Sequence, residues 1–207
     1  MRLDAPGVRA QPVSEAGTAR YYSAAVTSAP PPPSPAPLQL LDAVAAEIEA
    51  HVASGGWDQR PELFALVPTR VVASEPAGAD MLGLSPDAEI SADSLTPVAQ
   101  EALEDKPLDE LLAGIEWPDT VAGCALSQEI LVLPPQAESE LSAPDALGEA
   151  AVHPDRREAR LVVAVTRSGA MASVLRLRAA TAGEADDIAF GADLAPNLTA
   201  ALRATLE

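Results

Sequence analysis

Apolar residues recur at helical spacing from Leu38 to Val52, where Leu38, Leu41, Val44, Ile48 and Val52 form one stripe. Asp42, Glu47 and Glu49 keep off that stripe, and Gly55 and Gly56 then supply a left-handed stop. The pattern predicts a helix over residues 38–54. A short apolar run, Leu63–Val67, is closed by Pro68 and has the length and flanks of a buried strand. Several short helices are expected between Thr69 and Ile115, one of them capped by Thr96 with Pro97 in its first turn and another over Leu108–Ala113 ending at Gly114.

Period-two alternation takes over in the second half. Val121–Leu133 predicts a long strand with Cys124, Leu126, Ile130 and Val132 on one face, stopped by Pro134 and Pro135. Gly123 within it marks a bulge or a close approach of two backbones. Glu158–Arg167 and Met171–Ala180 flank Ser168-Gly169, which predicts a hairpin with Gly169 at positive φ in a two-residue turn. Leu161, Val163 and Val165 face one side, together with Ser173, Leu175 and Leu177 on the partner strand. After an acidic turn at Glu184–Asp187, Asp193 is expected to cap a last helix with Leu194, Leu198, Ala201 and Leu202 as its stripe. The order implies an α+β fold: an antiparallel sheet of about four strands, with the N- and C-terminal helices packed on one face and short helices inserted after the first strand.

Composition sets the boundaries of that domain. Eight of the twenty prolines lie in residues 1–37, several of them in the run Pro30-Pro-Pro-Pro33. That density favours polyproline II, so residues 1–37 are expected to be a disordered tail that acts as a spacer, with a docking segment for a proline-binding groove as the alternative. Residues 38–207 then form one domain, interrupted by a mobile acidic loop at 136–152. The formal charge is −18 and Lys106 is the only lysine among thirteen basic residues. So acidic a surface repels phosphate backbones and anionic lipid, so no nucleic acid is expected; no apolar run approaches the roughly 20 residues a membrane helix needs, so no membrane insertion is expected either. Cytoplasm is the expected compartment.

Candidate chemistry is sparse. Cys124 is the single cysteine, so no intrachain disulfide or Cys-built zinc site can form. Its apolar surroundings fit a small buried hydrophobe better than a nucleophile, which needs an electropositive setting. No phosphate-binding glycine loop, nucleophile elbow or His-Glu-x-x-His is present, and no cofactor or metal is expected. His51, near the end of the first helix, suits a boundary position where positive charge is favoured. Glu101, Glu104, Asp105, Asp109 and Glu110 are expected to be a solvated acidic face. Trp57 and Trp117 are expected to anchor loops on the core.

Charge contrast is the sharpest feature. Residues 153–178 carry six arginines against Asp155 and Glu158. Arg160, Arg176 and Arg178 fall on the strand face opposite the apolar residues and are expected to project together. With Arg156 and Arg157 they could clamp a carboxylate or phosphate, or dock an acidic protein partner. The alternative is that they pair with the chain's own acids, the 136–152 stretch in particular. His153 and Asp155, beside Arg156 and Arg157, could polarise a substrate oxygen, or simply form a turn with local ion pairs. The leading expectation is a non-enzymatic protein-interaction or regulatory domain; the alternative is a small-anion-binding domain or enzyme built on His153–Arg157.

Gly56-Trp-Asp, Leu63-Phe-Ala-Leu-Val-Pro68, Leu111-Leu-Ala-Gly-Ile-Glu-Trp-Pro118, Val121-Ala-Gly-Cys-Ala-Leu126 and His153-Pro-Asp-Arg-Arg-Glu-Ala-Arg-Leu161 together resemble a family of uncharacterised actinobacterial proteins. The resemblance covers roughly residues 38–207 and implies a cytosolic actinobacterial protein, with no assigned activity, ligand or catalytic residue.

Overall fold

A computed structural model describes residues 21–23, 40–85, 89–103, 106–134, 137, 146–181 and 183–207. Seven strands form one sheet: β1 (Tyr21–Ser23), β2 (Glu62–Pro68), β3 (Leu95–Ala99), β4 (Gly123–Leu133), β5 (Arg157–Thr166), β6 (Met171–Leu177) and β7 (Asp187–Gly191). Among the described residues six helices surround it: α1 (Leu40–Ser54), α2 (Thr69–Ala73), α3 (Pro76–Met81), α4 (Leu108–Ala113), α5 (Ala146–Val152) and α6 (Pro196–Ala204). The strand order is β3-β2-β4-β5-β6-β7, antiparallel throughout, and β1 runs parallel to the end of β4 from Leu131 to Leu133.

The α+β class and the four expected strands are present, but the sheet is wider than expected. Thr96 and Pro97 lie in β3, not at a helix start. β3 is an edge strand, where a residue without an N–H is tolerated, and the Thr96 hydroxyl donates to Thr69 Oγ1 at 3.0 Å. Tyr21–Ser23 forms a strand inside the stretch expected to be disordered; the rest of that tail lies outside the described residues, as do Leu38, Glu104 and Asp105. Ala146–Val152, expected in a loop, is helix α5, and its Ala150 packs with Leu133 and Ala137.

The expected placement of both terminal helices on one face is corrected. On one side of the sheet α1 sets Leu41, Val44, Ala45, Ile48 and Val52 against Phe64, Leu66, Ala125, Val162, Ala164, Ala172 and Val174. On the other side α4 and α6 set Leu108, Leu112, Leu198 and Leu202 against Leu63, Cys124, Leu126, Leu161, Val163, Val165 and Leu175. The reason is visible in β5, where Leu161-Val-Val-Ala-Val165 is apolar on both faces and fully buried; a strand apolar on both faces needs cover on both. Each fully buried Leu or Val contributes about 1.5–3 kcal/mol.

Local signals account for the ends. Gly56 stops α1 at φ 88°. Gly169 turns the β5–β6 hairpin at φ 91°, but the loop is Arg167–Gly169, three residues long, because Thr166 N donates to Ala170 O and Gly169 N to Thr166 O, both at 3.0 Å. Gly123 marks a close backbone approach: a Cβ there would run into Val165 O and press on Thr166 Cα at 3.0 Å. Helix α6 begins at Pro196 rather than at Asp193, whose carboxylate accepts from the Thr199 hydroxyl at 2.7 Å.

Candidate functional site

Four of the arginines singled out by charge, Arg157, Arg160, Arg176 and Arg178, converge at one end of the sheet, beneath the C-terminal half of α1. Arg160 on β5 stands directly across from Arg176 on β6, an arrangement of like charges that opposes pairing unless an anion intervenes. Glu49 intervenes. Its two oxygens accept from Arg176 Nε at 2.5 Å and Arg176 Nη2 at 2.7 Å, and Oε1 lies 3.8 Å from Arg160 Nη1. A second acid completes the clasp. Glu129 accepts from Arg160 Nη2 at 3.0 Å and from the backbone N–H groups of Asp58 and Gln59 at 3.0 and 3.2 Å. Asp58 reaches that position at φ 67°, a conformation short polar side chains tolerate.

Trp57 joins the same cluster, with Arg160 at 4.7 Å and Arg178 at 5.3 Å from its ring centre. Arg160 also donates to Gly56 O, which binds the end of α1 to the sheet. Arg178, just past β6, pairs with Glu158. Arg157 donates to Arg178 O at 3.0 Å and lies 3.6 Å from Asp187. The hydrogen bonds to Glu49 raise the Arg176 pKa further above its ordinary value.

The expected solvent-facing projection of these residues is corrected, and the alternative, pairing with the chain's own acids, is what the described residues show. The face they share is covered by α1, so Arg160 is 1% exposed and Glu49, expected off the apolar stripe, is 3% exposed. Four guanidinium groups are also matched by five carboxylates, those of Glu49, Glu129, Glu158, Asp186 and Asp187. The cluster fastens α1 and the Trp57 turn to β4, β5 and β6. Glu138, Glu140 and Asp145, acids of the 136–152 stretch expected to pair with these arginines, lie outside the described residues. Within His153–Arg157, Asp155 and Arg156 are exposed, and the Asp155 N–H donates to His153 Nδ1 at 3.1 Å, which closes a turn ahead of β5. Glu129 showed no sign of its role as a partner beyond being the one charged residue of β4.

The other candidate residues are placed as structural parts. Cys124 is fully buried, with Sγ 3.6 Å from Leu202 O, and burial pushes its thiol pKa up to about 11. His51 is exposed and meets the edge of Phe64 at 6.5 Å. Trp117 donates to Thr205 Oγ1 at 2.9 Å and packs on the core. A recess of about 130 Å³ at the opposite end of the sheet is lined by Thr166, Arg167, Arg203, Leu206 and Glu207, well below the roughly 300–1,000 Å³ of ordinary ligand sites. Arg167 there is occupied by the carbonyls of Val121 at 3.0 Å, Trp117 at 3.1 Å and Leu206.

One surface was not anticipated. Strand β7 ends the sheet, and no described residue pairs with its outer edge. Ile188 and Phe190 are 45% and 50% exposed on it. Their β6 partners are Arg176 and Val174, so both point to the α1 side. The opposite edge, β3, carries Pro97, which blunts pairing. The only prior signal was an apolar pair at a spacing of two, Ile188 and Phe190, between acidic residues.

Among the described residues, no helix is long and apolar enough to cross a membrane. No curated protein and no solved structure matches the chain. A family model described as PPA1309-like protein matches residues 41–207. The chain belongs to the PPA1309-like protein family.

Proposed function

We propose that this chain is a protein-interaction domain that docks a partner along the open edge of β7, in place of the arginine-bearing face first considered. The observation that carries it is the pair Ile188 and Phe190, half exposed on a strand whose outer backbone groups have no described partner. Soluble domains normally shield such an edge, and an uncovered apolar one is a ready site for strand addition. The arginine cluster supports this only indirectly, by fixing β6 and hence β7 against α1 through Arg176.

The test is comparative capture from a native lysate. Wild-type protein is set against the double variant Ile188→Lys/Phe190→Lys, with circular dichroism confirming that both are folded. Proteins held by the wild type and lost by the variant are expected. An identical captured set from both would remove β7 from consideration.

A further inference from the structure

We infer that the segment docking on β7 is an extended strand that alternates apolar and basic residues; this rests on the proposed use of β7 as the contact. A strand laid beside β7 repeats its period of two, so every second residue of the partner lies against Ile188 and Phe190 on the α1 side. Those positions select apolar side chains. The intervening residues face the other side of the sheet, where Asp187 stands with its side chain 76% exposed. Residues 183–193 contain Glu184, Asp186, Asp187 and Asp193 and no basic residue. Asp186 is engaged by Ala179 N at 2.8 Å and by Arg176 at 3.6 Å, and Asp193 by Thr199; Asp187 lies 3.6 Å from Arg157 yet stays exposed, as does Glu184. Lysine or arginine at an alternate position meets Asp187, while an acidic partner is repelled by it and by a chain of net charge −18. The same charge disfavours a second copy, which would bring four more acids to the contact.

The probe is a labelled synthetic peptide of repeating Lys-Val dipeptides, compared with Glu-Val and Ser-Val peptides of equal length by fluorescence anisotropy. Full-length protein is used, at 50 and 500 mM salt. The Lys-Val peptide is expected to bind at least tenfold more tightly than Ser-Val at low salt, with no binding of Glu-Val. Ile188→Lys/Phe190→Lys is expected to abolish binding. Glu184→Gln/Asp187→Asn is expected to weaken it several-fold and flatten its salt dependence. Equal binding of Lys-Val and Ser-Val overturns the basic partner and leaves docking on β7 standing. Dimerisation by sedimentation that the Ile188→Lys/Phe190→Lys variant abolishes would make the occupant a second copy, again overturning the partner but not the edge. No peptide binding, with lysate capture unchanged by the variant, overturns both.

Discussion

Replacing Glu49 by Gln removes one negative charge from beneath α1 while keeping the side-chain volume. The carboxylate is 3% exposed and serves two guanidinium groups that face each other across β5 and β6. After the change Arg160 keeps Glu129, and Arg176 keeps only Asp186 at 3.6 Å. Removing one partner of a buried pair costs about 3–5 kcal/mol. The lower end applies here, because Arg176 is 19% exposed and a glutamine oxygen still accepts one bond. A loss of about 3 kcal/mol corresponds to a fall in melting temperature of about 6–12 °C for a domain of this size. Thermal unfolding followed by circular dichroism measures it. Adding Arg176→Gln should cost less than the sum of the two single changes, because Glu49 and Arg176 are coupled. Glu158→Gln, in the exposed pair with Arg178, should leave the melting temperature unchanged. A Glu49→Gln protein that melts within about 2 °C of wild type would refute the buried clasp.

Further outcomes follow from the packing. Burial raises the Cys124 thiol from 9.0 to about 11, so its contribution is whole below about pH 9 and is lost as pH rises through 11; wild type should lose up to about 2–3 kcal/mol across that window while Cys124→Ala loses less, as read by urea titration. The same thiol should resist labelling by a thiol reagent until the chain unfolds, and rapid labelling of the native state would contradict its burial. Gly123→Ala forces a methyl group into Val165 O and should cost about 2 kcal/mol or more, since the obstacle is backbone and cannot swing away. Arg167→Ala removes three bonds to carbonyls and should cost about 2–3 kcal/mol, with faster hydrogen exchange in α6 as the local signature.

Periodicity made much of the fold legible. The α1 stripe, the apolar runs of β4, β5 and β6, and the glycines at 56, 123 and 169 each rest on local physics that the sequence displays. Strands β3 and β7 were not legible, because Pro97 reads as a helix start and Ile188–Phe190 is too short to stand out; both exist through pairing with a longer strand, β2 and β6. Placement of the helices depended on a signal that was present and misjudged. Val162, Ala164, Ala172 and Val174 make the second face apolar, so the face that carries Arg160 and Arg176 belongs under a helix. Once α1 covers that face, the arginines must find internal acids, and Glu49 and Glu129 supply them from positions 111 and 31 residues away from Arg160. Sequence charge shows which groups need partners; only the fold decides where those partners stand.

Hydrogen exchange of the β7 amides, with and without a saturating Lys-Val peptide, tests the account most directly. Strand addition predicts slower exchange within Asp187–Gly191 and little change in β3, whose edge is blunted by Pro97. Peptide binding with protection confined to other elements, or none in β7, would contradict it.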